Sequence, residues 1–73
     1  MYLGNGKLEV NHRVEVLDAK TWREANVVEV DHDRVKVHFK GFVAKFDEWI
    51  DRKSSRISPF GRNLRVSLIN EIS

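Results

Sequence analysis

The residues best suited to form a binding site are three phenylalanines in the middle of the chain, Phe39, Phe42 and Phe46. Gly41 lies between the first two and permits a sharp turn, so this loop can fold the three rings around one opening. Aromatic faces attract cations, and a methylated ammonium suits such an opening because its methyl groups weaken its hydration. The spacing therefore favours a site for a methylated cation. In so small a chain, the same rings would also serve as core residues.

The elements that carry these rings are expected to be short β-strands. Apolar and polar residues alternate at 14–16, 25–30 and 35–39, and this period of two with many valines is typical of strands. The polar triplet at 31–33 suits a tight hairpin, and a further short strand is expected at 46–50. Strands spaced about 8–12 residues apart predict an all-β fold, a small five-stranded, strongly bent antiparallel barrel.

The 73 residues suffice for one small domain, which we place at residues 13–61. Residues 1–12 hold two of the four glycines and are expected to form a flexible arm. Residues 62–73 form a tail whose apolar spacing fits both an extended segment and a short helix, so both structures stay open.

Composition excludes several classes of function. Cysteine is absent and the three histidines lack the spacing of a zinc site, so neither a disulfide nor a structural metal is expected. The sequence has no glycine-rich phosphate loop and no serine beside a credible base, so no catalytic residue, cofactor or enzymatic activity is expected. No apolar run approaches the roughly 18 residues of a membrane span, so no membrane partner is expected either.

The segment that contains the three rings, VKVHFKGFVAKFDEWI at 35–50, resembles a segment shared by MBT repeats, chromo-barrel domains and Tudor domains. The following RISPFG at 56–61 resembles the end of the same domains, and residues 14–18 and 22–27 resemble their opening strands. The resemblance covers about residues 13–61. It implies a Tudor-type, SH3-like barrel that serves as a chromatin-associated binding module in the nucleus, a monomer within a larger multi-domain protein. Its expected partner is a methylated peptide such as a histone tail.

By this resemblance, five residues are expected to form a methyl-lysine cage. Phe39, Phe42 and Phe46 stand where family members carry cage aromatics. Asp18 matches a position where MBT repeats have an acidic residue that pairs with lower-methylated lysine, although it would also suit a turn. Trp22 stands where Tudor and chromo-barrel relatives add a further wall. The chain departs from the family pattern because all three loop aromatics are phenylalanine, whose face attracts a cation less than that of tryptophan.

Three residues at the end of the same segment are assigned structural roles. Trp49 is expected in the core, because it lies inside the predicted fourth strand and away from the loop. Asp47 and Glu48 are expected to fix the loop through hydrogen bonds and surface charge.

A basic face is the main alternative to peptide binding. The net charge is +2, and acidic residues such as Glu15 and Glu24 are expected to dilute the positive charge of the outer wall. The residues that would contact RNA or DNA phosphates are Lys36, His38, Lys40, Arg52, Lys53 and Arg56. A third possibility is a protein-interaction barrel whose cage is degenerate.

Overall fold

The computed structural model describes residues 8–63, and this part of the chain is almost entirely β-structure. Its strands are β1 (Arg13–Asp18), β2 (Thr21–Val30), β3 (Arg34–Phe39), β4 (Glu48–Asp51) and β5 (Ile57–Pro59), with a short 3-10 helix (Ala44–Phe46) before β4. Within these residues, no helix is long and apolar enough to cross a membrane. The predicted tail beyond residue 63 and the first seven residues of the predicted arm lie outside the described residues.

The five strands form one antiparallel sheet in the order β4-β3-β2-β1-β5. The sheet curls into a half-barrel, which confirms the predicted small, bent, five-stranded antiparallel fold. The hairpin predicted at 31–33 joins β2 to β3. A register shift between Val27 and Glu29 marks a bulge in the ten-residue strand β2, and such a bulge increases the local bend.

The edges formed by β4 and β5 are connected by a side chain. The guanidinium of Arg56 donates two hydrogen bonds to the carboxylate of Glu48, at 2.6 and 3.1 Å, and a third to the carbonyl of Leu17 at 2.9 Å. The bidentate pair raises the pKa of Arg56 above its usual value. Because Arg56 directly precedes β5, its side chain brings the two edge strands together, and it also ties β4 to β1.

The core fills the inner face of the curled sheet. Cross-strand neighbours Val14, Ala25 and Phe39 follow one another from β1 through β2 to β3, and all three are buried. Alternate residues of each strand share this face, as the period of two requires. The buried apolar residues are Leu8, Val14, Val16, Ala25, Val27, Val35, Val37, Phe39, Ile50 and Ile57.

Residues 8–12, which were expected to belong to a flexible arm, pack against the barrel instead. Leu8 is part of the core, and its carbonyl accepts a hydrogen bond from the guanidinium of Arg52 at 3.1 Å. The amide of Asn11 donates to the carbonyl of Val27 at 2.8 Å, and the amide of Val27 donates to His12. The folded unit thus begins before residue 13.

The expectation that Trp49 lies in the core is wrong. In the register between β3 and β4, Ile50 faces the buried Val35, and Trp49 faces Lys36 on the outer side of the sheet. The indole is half-buried, and the guanidinium carbon of Arg34 lies 4.7 Å from its ring centroid. The 3-10 helix before β4 ends at Phe46, so the strand begins later than predicted.

Candidate functional site

Phe39, Phe42 and Phe46 form a continuous row of rings that rises from the core to the surface. The centroids of Phe39 and Phe42 lie 5.8 Å apart with the planes inclined by 56°, and those of Phe42 and Phe46 lie 5.8 Å apart at 83°. Phe39 is only 4% exposed, Phe42 is half-buried against the core, and Phe46 is 51% exposed. The loop therefore brings the three rings into contact, as their spacing predicts.

The loop reaches this arrangement through two tight turns. Gly41 has a φ of +86°, a left-handed value that glycine adopts without strain, and the amide of Phe42 donates to the carbonyl of Phe39 at 3.1 Å. The amide of Phe46 then donates to the carbonyl of Val43 at 3.1 Å, which closes the 3-10 turn. Local backbone bonds thus set the spacing between the rings.

A side-chain contact joins the end of the loop to the outer face of β3. Oδ1 of Asp47 accepts a hydrogen bond from Nδ1 of His38 at 2.7 Å, and Glu48 binds Arg56 as described above. The contact of Asp47 confirms its expected role in fixing the loop, whereas the carboxylate of Glu48 binds Arg56 beyond β4. Because His38 directly precedes Phe39, the pair fixes the first and last rings relative to each other.

A carboxylate and a guanidinium complete the cluster. Asp18 ends β1, and the following Ala19 and Lys20 turn the chain with φ values of 48° and 75°. The Nε of Arg23 donates to the Asp18 carboxylate at 2.9 Å, and its guanidinium carbon lies 5.2 Å from the centroid of Phe42. Arg23 therefore connects the acidic turn to the aromatic row.

The position of Arg23 follows from strand alternation. It pairs with the buried Val16 and lies two residues before the buried Ala25, so all three share the inner face. At this end of the half-barrel the inner face opens to water, and the side chain of Arg23 is 38% exposed and that of Asp18 41% exposed. We call the cluster of Asp18, Arg23, Phe39, Phe42 and Phe46 the aromatic mouth.

The chemistry of the aromatic mouth is that of a cation site. A ring face and a carboxylate both stabilise positive charge, and here they do so for one and the same guanidinium. Arg23 was not among the site residues predicted from the sequence, although its place two residues before Ala25 in an alternating strand was the signal that could have found it.

Trp22, the fifth predicted cage residue, is not brought to the aromatic mouth. It pairs with Leu17 across β1 and β2, and the alternation about Ala25 places it on the outer face with Glu24. The structure therefore assembles Asp18, Phe39 and Phe42 with Phe46 and leaves Trp22 on the opposite side of the sheet.

The basic residues proposed for nucleic-acid binding are mostly engaged with oxygen atoms of the protein. Arg52 donates to the carbonyls of Asp31 and Leu8, and Lys53 is exposed beside it in the next turn. The remaining four pair with carboxylates: Lys36 with Glu29 at 3.7 Å, Lys40 with Glu24 at 3.5 Å, His38 with Asp47 at 2.7 Å and Arg56 with Glu48 at 2.6 Å. The positive charges of Lys36, Lys40 and Arg56 therefore each lie beside a carboxylate of the protein.

Glu15, expected to act as surface charge, is instead buried with 0% of its area exposed. Its carboxylate accepts hydrogen bonds from the amide of Gly61 and from the amide and side-chain nitrogen of Asn63, each at 2.8 Å. These donors come from the segment after β5, which folds back over β1. We call this contact the Glu15 latch.

Comparison with known proteins agrees with this architecture. Residues 6–62 match the family model of the mbt repeat. Lethal(3)malignant brain tumor-like protein 4 is 43% identical over 60 residues in Homo sapiens and 40% in Mus musculus, a region that is 82% of this chain and 9% of each relative. Lethal(3)malignant brain tumor-like protein 1 of Gallus gallus is 38% identical over 55 residues, 71% of this chain and 6% of the relative. The chain spans less than a tenth of the length of these relatives.

Proposed function

The chain belongs to the MBT repeat family, whose members are chromatin-binding modules that read methyl-lysine, and we propose that it binds a methylated-lysine peptide at the aromatic mouth. The source of the peptide in this proposal is a histone tail or another chromatin protein. The relatives are chromatin-associated, which supports a nuclear location for the parent protein. The family is one of binding modules, so no reaction is assigned to the site.

The observation that carries the proposal is the guanidinium already seated between Asp18 and Phe42. A site that holds one cation by a 2.9 Å hydrogen bond and a 5.2 Å ring contact has the chemistry needed to hold another. Phe39 forms the floor of the proposed cage, and Phe42 and Phe46 form its walls. Phe46 is the ring most exposed to an arriving side chain.

The expected selectivity follows from the rings. A favourable ring contributes about 0.5–2 kcal/mol to binding of a cation. Methylated ammonium gains most from such rings because it loses less hydration than unmodified lysine does. Two ring walls therefore predict a preference of roughly tenfold or more for the methylated side chain, which is about 1.4 kcal/mol. Trp22 has no part in this proposal, since it lies on the outer face.

Nucleic-acid binding receives no comparable support. Four of the six basic residues on which it would depend are paired with carboxylates, and a fifth binds carbonyls. The neighbouring carboxylates reduce the positive potential that a phosphate would meet at this face.

The test is a titration of the isotopically labelled protein with histone-tail peptides, followed by NMR. Each peptide carries one lysine in unmodified, mono-, di- or trimethylated form, and a further peptide replaces the trimethylammonium nitrogen with carbon. We expect methylated peptides to shift the Phe42 and Phe46 resonances at lower concentration than the unmodified peptide does. Equal responses to all of them would refute the proposal. Salt-sensitive shifts of Lys36 and Lys53 with a short RNA would favour the basic face instead.

A pair of phenylalanine variants provides the control. Phe46→Ala removes an exposed wall of the proposed cage and should weaken binding of the trimethylated peptide about tenfold. Phe60→Ala removes another exposed ring, which also lies beneath an arginine, with the guanidinium carbon of Arg13 4.1 Å from its centroid. This second variant should bind the peptide as the unaltered protein does.

A further inference from the structure

We infer that Arg23 is an internal competitor of the ligand: its guanidinium occupies the cation site in the free protein, and a methylated ammonium must displace it to bind. The inference rests on the proposed function, because it concerns the same site. It goes further in assigning the strength of binding to a residue that would not itself contact the bound ligand.

The first step is that Arg23 uses both halves of the site at once. Its Nε donates to Asp18 at 2.9 Å, within the range of a charge-assisted hydrogen bond. Its guanidinium carbon lies 5.2 Å from the centroid of Phe42, inside the roughly 6 Å limit of a cation–π contact. The face of Phe42 that receives the guanidinium is therefore not open to a second cation at the same time.

The second step is that the guanidinium can leave. The side chains of Arg23 and Asp18 are 38% and 41% exposed, so both groups regain water readily when the pair opens. Ion pairs with this exposure are weak. The strand position of Arg23 fixes its backbone through the pairing with Val16, while its long side chain is free to swing outward. Displacement thus requires no change in the sheet.

If the occupied form of the site outweighs the open form by about ten to one, ligand affinity is reduced about tenfold. Removing the guanidinium should restore that factor, which corresponds to about 1.4 kcal/mol. A larger factor would require a buried pair, which this one is not.

The molecule contains a matched control for this inference. Arg34 also pairs with an aspartate, Asp31, at 3.3 Å, and its guanidinium carbon lies 4.7 Å from the centroid of Trp49. This set lies on the outer face of the sheet, away from the aromatic mouth. Arg34→Leu removes the same charge and the same types of contact as Arg23→Leu does.

The experiment compares the two variants by isothermal titration with the trimethylated histone-tail peptide that binds best in the titration above. Arg23→Leu should bind it about tenfold more tightly than the unaltered protein, and Arg34→Leu should bind within twofold of it. Thermal unfolding of each variant checks that the fold is retained. A result in which both variants bind like the unaltered protein would overturn the inference and leave the proposed function intact.

A second measurement needs no variant. The Nε–Hε signal of Arg23 is followed by NMR while the same peptide is added to the unaltered protein. Displacement predicts that this signal moves to the position of a free arginine as Phe42 and Phe46 respond. If the rings respond and the Arg23 signal stays, the inference fails while the proposed function stands.

Two further outcomes concern the two proteins together. If Arg23→Leu binds the peptide and the unaltered protein does not, the role of Arg23 as competitor is confirmed in its strongest form. If neither protein responds, both proposals fail together.

Discussion

Two carboxylates on β1 lie three residues apart and are used in opposite ways. Glu15 is fully buried and accepts three hydrogen bonds from Gly61 and Asn63, whereas Asp18 is 41% exposed and pairs with the guanidinium of Arg23. The hydrogen-bond donors of the Glu15 latch come from the folded chain itself. The carboxylate at the aromatic mouth has a partly exposed guanidinium as its partner.

The comparison shows how burial separates structural from binding roles in one small domain. A buried polar group has to be satisfied within the chain, since the cost of leaving it unpaired is high. An exposed one is satisfied by water at any time, so its protein partner can change at little cost. The Glu15 latch should therefore govern stability, whereas Asp18 should contribute little to stability and act on binding together with Arg23.

The largest expected effect concerns the Glu15 latch. Glu15→Gln keeps the size of the side chain but turns an amide donor toward the donors of Gly61 or Asn63. Two donors then face each other in a buried site, so we expect the free energy of unfolding to fall by about 2–4 kcal/mol. Urea denaturation measures this loss. A loss below about 1 kcal/mol would mean that the latch is not structural.

An intermediate effect is expected at Asp18. Asp18→Asn should change the free energy of unfolding by less than about 1 kcal/mol, because the pair that it breaks is exposed. Its effect on binding depends on Arg23, since the carboxylate favours both the internal cation and the ligand. We expect less than a threefold change in peptide affinity in the unaltered background, and a five- to tenfold loss in the Arg23→Leu background. A double-mutant cycle by isothermal titration measures the difference, and equal losses in both backgrounds would contradict the competition.

The smallest effect concerns a third carboxylate, Asp31, which is exposed at the β2–β3 turn. The hydrogen bond from Arg34 holds the pKa of Asp31 below its usual value of 3.8. A lowered pKa in the folded state stabilises the fold above the unfolded value, and this stabilisation is lost as the pH falls through the folded value. The unaltered protein should thus exceed Arg34→Leu in stability at pH 5, and the gap should narrow below about pH 4. Urea midpoints at several pH values measure it, and a gap independent of pH would contradict the assignment.

The strands and the row of rings were predictable because both follow from local pattern. Period-two alternation identified the inner face of β3, and Gly41 marked the turn that brings Phe42 back over Phe39. Trp49 was placed wrongly because the 3-10 helix delays the start of β4, and the facing of a strand depends on its register, here set by Val35 and Ile50.

Two features of the molecule were missed in the sequence, for different reasons. The burial of Glu15 depends on residues 61–63 folding back over β1, a contact between positions 46 and 48 residues apart. No period or motif in the sequence indicates such a contact. Arg23 was open to prediction by alternation, but a charged residue at the end of a strand is usually assigned to the outer wall.

The central claim is that the aromatic mouth binds positive charge, and one pair of peptides tests it most directly. The trimethyl-lysine peptide and its neutral carbon isostere have the same shape and nearly the same apolar surface, so their affinities differ through charge alone. We predict that the charged peptide binds at least tenfold more tightly to the unaltered protein, as measured by isothermal titration. Equal affinities would show that the rings form only a hydrophobic contact and would contradict the assignment of a cation site.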